Sequence, residues 1–138
     1  MRLPTLLASL CLILLMNPAA AQTAATLPGS KWTVTEALSA PIIAGSTVTL
    51  TFPADGTVAG NTGVNNFNGF ATVSGSNVKF EKLRSTRRAG SPQLMEQEAR
   101  FNRALAATAQ FQIAPDGGLT LKDPDGVIVL RAQPARGE

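Results

Sequence analysis

Thr47-Val48-Thr49-Leu50-Thr51-Phe52 sets Val48, Leu50 and Phe52 on one side of an extended chain and three threonines on the other. Successive strand side chains point to opposite faces, so this alternation reads as a β-strand with one face in a core. The next residues, Pro53-Ala54-Asp55-Gly56, carry turn chemistry. Proline presets φ near about −65°, aspartate bonds the nearby backbone, and glycine accepts positive φ. The same chemistry returns at Pro115-Asp116-Gly117-Gly118 and Pro124-Asp125-Gly126, and Ser74-Gly75-Ser76-Asn77 adds a fourth turn. Between them the alternation recurs at Trp32-Thr33-Val34-Thr35, Val78-Lys79-Phe80-Glu81, Gln110-Phe111-Gln112-Ile113 and Leu119-Thr120-Leu121-Lys122. Val127-Ile128-Val129-Leu130 is apolar on both faces and suits a strand covered on both sides, with a helix on one of them. Hairpin signals between alternating runs predict an antiparallel meander.

One segment, from about Ser91 to Ala109, departs from the two-residue period. Ser91 is a good N-cap, and Pro92 falls at the first helical position, where its missing N–H costs nothing. Leu94, Phe101, Leu105 and Thr108 recur at helical spacing and define an expected buried stripe. Glu96 and Arg100 stand four apart in the favourable order. The expected class is mainly β (α+β), with one packed helix.

The 138 residues are 44% apolar, 5% aromatic and 15% charged, with formal charge +3, one cysteine, no histidine and no tyrosine. That length suits one domain. Arg2, the apolar run Leu6 to Met16, the break at Asn17-Pro18 and the small residues Ala19-Ala20-Ala21 have the layout of a secretory signal peptide over 1–21,. The run is shorter than the ~20 residues a transmembrane helix needs. Cleavage is expected after Ala21, within the small-residue site formed by Ala19 and Ala21, releasing a periplasmic or secreted chain that starts at Gln22. Cys11 and Arg2 leave with the leader, so the mature chain has no cysteine and a charge one unit lower. Residues 22–29 read as a flexible lead-in, 30–132 as the domain and 133–138 as a polar tail. A charge this small does not argue for nucleic acid.

Without histidine, a Ser-His-Asp triad, an imidazole proton shuttle and a His-containing zinc site are all excluded. Glu96 and Glu98 lie ~200° apart on a helix and cannot flank one bond, so both are expected on a solvated face. Asp123 and Asp125 resemble the start of a calcium loop, but the later ligands are missing and turn chemistry explains both. Lys79 and Lys82 are available for a Ser-Lys pair, with nothing to mark the serine. The expectation is no enzyme, cofactor or metal. Lys82-Leu83-Arg84-Ser85-Thr86-Arg87-Arg88 is basic. It reads either as a solvated edge strand and loop or as a contact for anionic head groups or an acidic partner, through Arg84, Arg87 and Arg88. Gly60-Asn61-Thr62-Gly63-Val64-Asn65-Asn66-Phe67-Asn68-Gly69-Phe70 has too much glycine and asparagine for a plain strand. It reads as a bulge or close backbone approach, or as a polar binding patch of Asn65, Asn66 and Asn68.

In order, these residues resemble the META/HslJ domain family. Its members carry an early tryptophan, here Trp32, then a Phe-ending strand, then a signature matched by Gly60, Gly63, Asn65, Phe67 and Gly69. Thr86 follows, and then a helix matched by Met95, Glu96, Glu98, Phe101 and Leu105. The likeness spans about Leu27 to Ala132. At the two positions where the family has cysteine, this chain has Val64 and Gly90, as expected if the two pair in relatives.

The resemblance implies a small, partly open antiparallel β-barrel with one packed helix. It also implies export to the bacterial envelope and links to stress, heat shock or drug tolerance, without established catalysis. A broader likeness to secretion-pilot lipoproteins implies that such a barrel takes an acyl chain or a peptide. Trp32, Val48, Leu50, Phe52, Phe67, Phe80 and Phe111 are the candidate lining, or simply the core. The leading expectation is therefore a monomeric, non-enzymatic domain that binds an envelope protein, peptide or lipid. The alternative is a small secreted protease inhibitor presenting a loop.

Overall fold

The computed structural model describes residues 26–137. The expected leader, Cys11 and the cleavage site at Ala19 and Ala21 lie outside the described residues, as do the first half of the lead-in, residues 22–25, and Glu138.

The chain runs β1 (Ser30–Ala37), β2 (Ala40–Pro41), β3 (Thr49–Phe52), β4 (Thr57–Asn61), β5 (Asn66–Ser74), β6 (Asn77–Ser85), α1 (Pro92–Ala107), β7 (Gln110–Ile113), β8 (Leu119–Lys122) and β9 (Ile128–Pro134). Each turn anticipated from Pro-Asp-Gly or Ser-Gly-Ser-Asn chemistry joins two neighbouring antiparallel strands: β3 to β4, β5 to β6, β7 to β8 and β8 to β9. β1 pairs with β3 through Ser30 to Thr33 and with β9 through Trp32 to Ala37. The sheet thereby curls into a ring. Its weakest junction is β6 with β7, which share the single pair Asn77↔Gln110. The result is mainly β, a partly closed antiparallel barrel with one helix.

Alternation places the core as expected. Val48, Leu50 and Phe52 are buried, as are Trp32 and Val34 on β1 and Leu119 and Leu121 on β8. Burying each large apolar side chain contributes roughly 2 kcal/mol. On β9 a bulge opposite Leu121 and Lys122 turns both Val129 and Leu130 inward, while Val127 stays 58% exposed. The apolar run there reflects this bulge together with helix packing, since α1 lies against β9 and β1.

The helix starts as its sequence directs. The Ser91 hydroxyl accepts from the Leu94 N–H at 3.3 Å, and Pro92 opens the first turn. Arg100 reaches Glu96 at 3.3 Å. The buried stripe differs from the expected one: Phe101, Leu105 and Thr108 are buried, but Leu94 is only half-buried, and Gln97, Glu98 and Ala104 join the stripe. Glu98 is thus corrected from a solvated position to an interior one, because a buried polar partner awaits it. The lead-in also differs where it is described. Leu27 is fully buried, and the Gly29 N–H donates to the Phe52 carbonyl at 2.6 Å. At the other end β9 runs to Pro134, and the Ala135 N–H donates to the Lys31 carbonyl at 2.9 Å.

Candidate functional site

The signature Gly60 to Phe70 covers the end of β4, a tight turn over residues 62–65 and the first half of β5. The Thr62 N–H donates to the Asn65 carbonyl at 2.8 Å, and Gly63 takes φ +94°. A side chain at Gly63 would also press on Ser46 and Gln97. The turn drops Thr62 and Asn65 into the interior, against the first turns of α1.

There they meet Glu98. The Thr62 hydroxyl donates to Glu98 Oε1 at 2.9 Å, and Asn65 Nδ2 donates to Oε1 at 2.9 Å and Oε2 at 3.2 Å. Asn65 Oδ1 accepts from the Thr86 hydroxyl at 2.9 Å and the Arg88 N–H at 2.6 Å, and Nδ2 also donates to the Arg88 carbonyl at 3.2 Å. The Thr62 hydroxyl in turn accepts from the Asn65 N–H at 2.9 Å. Beside it, Gln97 Oε1 accepts from the Ile43 N–H at 2.8 Å and Nε2 donates to Ser46 at 2.9 Å. One helix turn therefore fastens three loops through side chains whose polar groups are satisfied, the condition under which burying them is tolerable. We call this network the clasp. Gln97 and Thr62 are the members that sequence reasoning missed. Gln97 was signalled, because it falls at the spacing of Leu94 and Phe101 and a stripe drawn without regard to polarity includes it; Thr62 lies in the signature turn and had no such periodic signal.

Other signature residues serve the same packing. Trp32 donates through Nε1 to Ser30 Oγ at 2.7 Å. Phe67 packs against Phe101 in a tilted pair, with centroids 5.4 Å apart. A Cβ at Gly60 would lie 2.1 Å from the Thr49 carbonyl oxygen and 2.8 Å from the Phe67 ring, so this position requires glycine for close approach,. Met95 Sδ accepts from the Gly90 N–H at 3.3 Å, and Glu96 is exposed. A Cβ at Gly90 would touch both methyls of Val64, at 3.0 and 3.4 Å, so side chains at positions 64 and 90 meet.

The three asparagines grouped as a candidate patch are separated. Asn65 is 3% exposed and committed to the clasp, whereas Asn66 and Asn68 face solvent on β5. Across from Asn68 sits Arg84, and across from Phe70 sits Glu81. Between these pairs one residue, Gly69, faces two, Lys82 and Leu83, in a β-bulge,. Lys82 adopts φ +52°, a left-handed conformation that costs a non-glycine residue roughly 1–2 kcal/mol,. A Cβ at Gly69 would come within 2.9 Å of the Glu81 carbonyl oxygen and 2.7 Å of Leu83. The bulge changes the face on which the strand's charges fall. Lys82 and Arg84 come to the outer surface beside Phe70, which is 50% exposed, and Lys82 Nζ lies 5.9 Å from its ring centroid. A shallow depression of about 560 Å³ lies there, lined by Thr57, Ala59, Asn68, Phe70, Lys82 and Arg84. Lys79 pairs with Glu81 at 2.9 Å, and that contact holds the Glu81 carboxyl below its ordinary range. Arg87 and Arg88 continue the exposed positive charge into the loop after β6.

The META domain family model matches residues 25–136. The chain belongs to the META domain family. Solved structures share the fold of this META domain. An NMR structure of a protein from Burkholderia xenovorans superposes with TM-score 0.63 at 19% identity, over 80% of this chain and 85% of that one. A crystal structure of a DUF4847 family protein from Bacteroides vulgatus superposes with TM-score 0.60 at 16% identity, over 81% of this chain and 96% of that one. Likeness at such identity shows the fold alone. No curated protein matches the chain.

Proposed function

We propose that this META domain is a non-enzymatic, monomeric binding module of the bacterial envelope, reached through its leader. It would serve stress response or maintenance by holding a protein, peptide or lipid on its surface. The observation that carries this reading is the contrast between interior and exterior. Trp32, Val48, Leu50, Phe52 and Phe67 are packed together as core, with Phe80 and Phe111 partly buried against them. These side chains fill the barrel rather than line a ligand chamber. Outside, β6 has a mostly unpaired edge and several cations, and the sheet exposes an aromatic ring. The absence of catalysis is supported by Glu98, a buried carboxylate already occupied by structural donors.

The test is fractionation with N-terminal sequencing, joined to complementation of a deletion strain under heat or envelope stress. The expected result is protein in the envelope fraction with Gln22 as its first residue, and failure of a variant lacking the charges of Arg84, Arg87 and Arg88 to complement. Protein kept in the cytoplasm with its leader intact, or full complementation by that variant, overturns the reading.

A further inference from the structure

We infer that the outer face of β4, β5 and β6 docks on an anionic lipid bilayer, with Phe70 at the interface and Lys82 and Arg84 against the head groups; this deepens the binding reading and rests on it. The bulge is the first support. Without it, strict alternation after Phe80 would turn Lys82 and Arg84 inward; with it, both reach the outside next to Phe70. The chain holds Lys82 in a strained left-handed conformation to achieve this, and such strain collects where function requires it,. Charge is the second support. Lys82 and Arg84 have no carboxylate at ion-pair distance among the described residues, and Glu81 is occupied by Lys79.

The chemistry favours a bilayer over an acidic peptide. β5 is paired on both sides, with β4 and with β6, so the backbone beneath Phe70 is already engaged in the sheet, and an added strand could pair only along the open edge of β6, one strand away from that ring,. A peptide would gain only scattered side-chain contacts and would lose conformational freedom. A bilayer presents many mobile anionic groups at once, and an aromatic ring flanked by cations is the composition that settles at its interface.

The experiment uses the chain from Gln22 to Glu138, which retains every described element and omits the apolar leader that would itself enter vesicles. Sedimentation with vesicles of phosphatidylglycerol and phosphatidylcholine at low salt should pull down the protein. Pure phosphatidylcholine should not, and added salt should release it. Lys82→Gly keeps the bulge and relieves its strain, so it should fold at least as stably while binding about fivefold more weakly, the effect of one cation near such a surface. Phe70→Ser should weaken binding further, and Lys82→Gly with Arg84→Gln about 25-fold. The double variant Lys31→Gln, Lys122→Gln removes as much charge elsewhere and should bind as wild type does. Equal weakening by that control would show a general charge effect and overturn the proposal. So would the absence of vesicle binding, or tighter binding to oligoglutamate than to vesicles. An envelope location with no vesicle binding would leave the proposed function standing and remove only this inference.

Discussion

The clasp and the hairpin turns use the same kinds of residue for opposite purposes. At the turns, Asp55 accepts from the Thr57 N–H at 3.0 Å, Asp116 from Gly118 at 2.9 Å, and Asp123 from Asp125 and Val127 at 2.9 Å. Each bond spans a few residues, mostly near water, and a lost one is replaced by solvent. In the clasp, Asn65, Thr62 and Glu98 join segments more than 20 residues apart inside the protein, where no solvent is ready to take over. A short polar side chain therefore shapes its own loop at the turns, and in the clasp it fixes where other loops go.

That contrast can be broken most sharply at Asn65. Asn65→Asp keeps the shape but removes the Nδ2 donor and sets a carboxyl against Glu98, so it should destabilise by about 4 kcal/mol in urea denaturation. A loss under 1 kcal/mol would mean that the clasp contributes little. The clasp can also be reinforced. Val64→Cys with Gly90→Cys places two thiols where a Cβ at position 90 would lie against the Val64 side chain, and oxidation should raise stability by about 3 kcal/mol relative to the reduced form,. Gly69→Ala tests the bulge, since its methyl would collide with the Glu81 carbonyl and Leu83, and should cost about 2 kcal/mol,. The smallest effect belongs to a turn. The Thr57 hydroxyl, followed by its N–H, holds the Asp55 carboxyl below its ordinary value. A lowered folded-state pKa stabilises above the unfolded value near 3.9 and ceases to do so as pH falls through the folded one. Thr57→Val should move the Asp55 titration upward in an NMR pH series and slightly weaken the fold at neutral pH, leaving the clasp intact.

The same distinction explains what could be read from sequence. Turns and strands are local, so three Pro-Asp-Gly turns and Ser74-Gly75-Ser76-Asn77 located four hairpins, and the alternation at Thr47 to Phe52 located the principal core face. The helix cap at Ser91-Pro92 was equally local. The β1–β2 hairpin was hidden because Leu38 and Ser39 occupy its positive-φ positions without the usual glycine or asparagine,. Glu98 was misplaced because its charge was read as exposure, although it stands four after Leu94 and three before Phe101; the Thr62 and Asn65 donors that make its burial tolerable come from a distant turn. The motif order from Trp32 to Leu105 did mark Asn65, Thr86 and Glu98, though not Thr62, Gln97 or Ser46. Their roles became visible only when the fold brought residues 62–65, 86–88 and 97–98 together.

The pairing of β1 with β9 also fixes the order of events during synthesis. Val34 faces Ala132 across that seam, so β1, which pairs early with β3, finds its second long partner in the last of the described strands. Until residues 128–134 emerge, the barrel is a curled sheet with an open side, and closing it means joining chain ends separated by nearly the whole domain. The seam between β1 and β9 can therefore close only after residues 128–134 have been made.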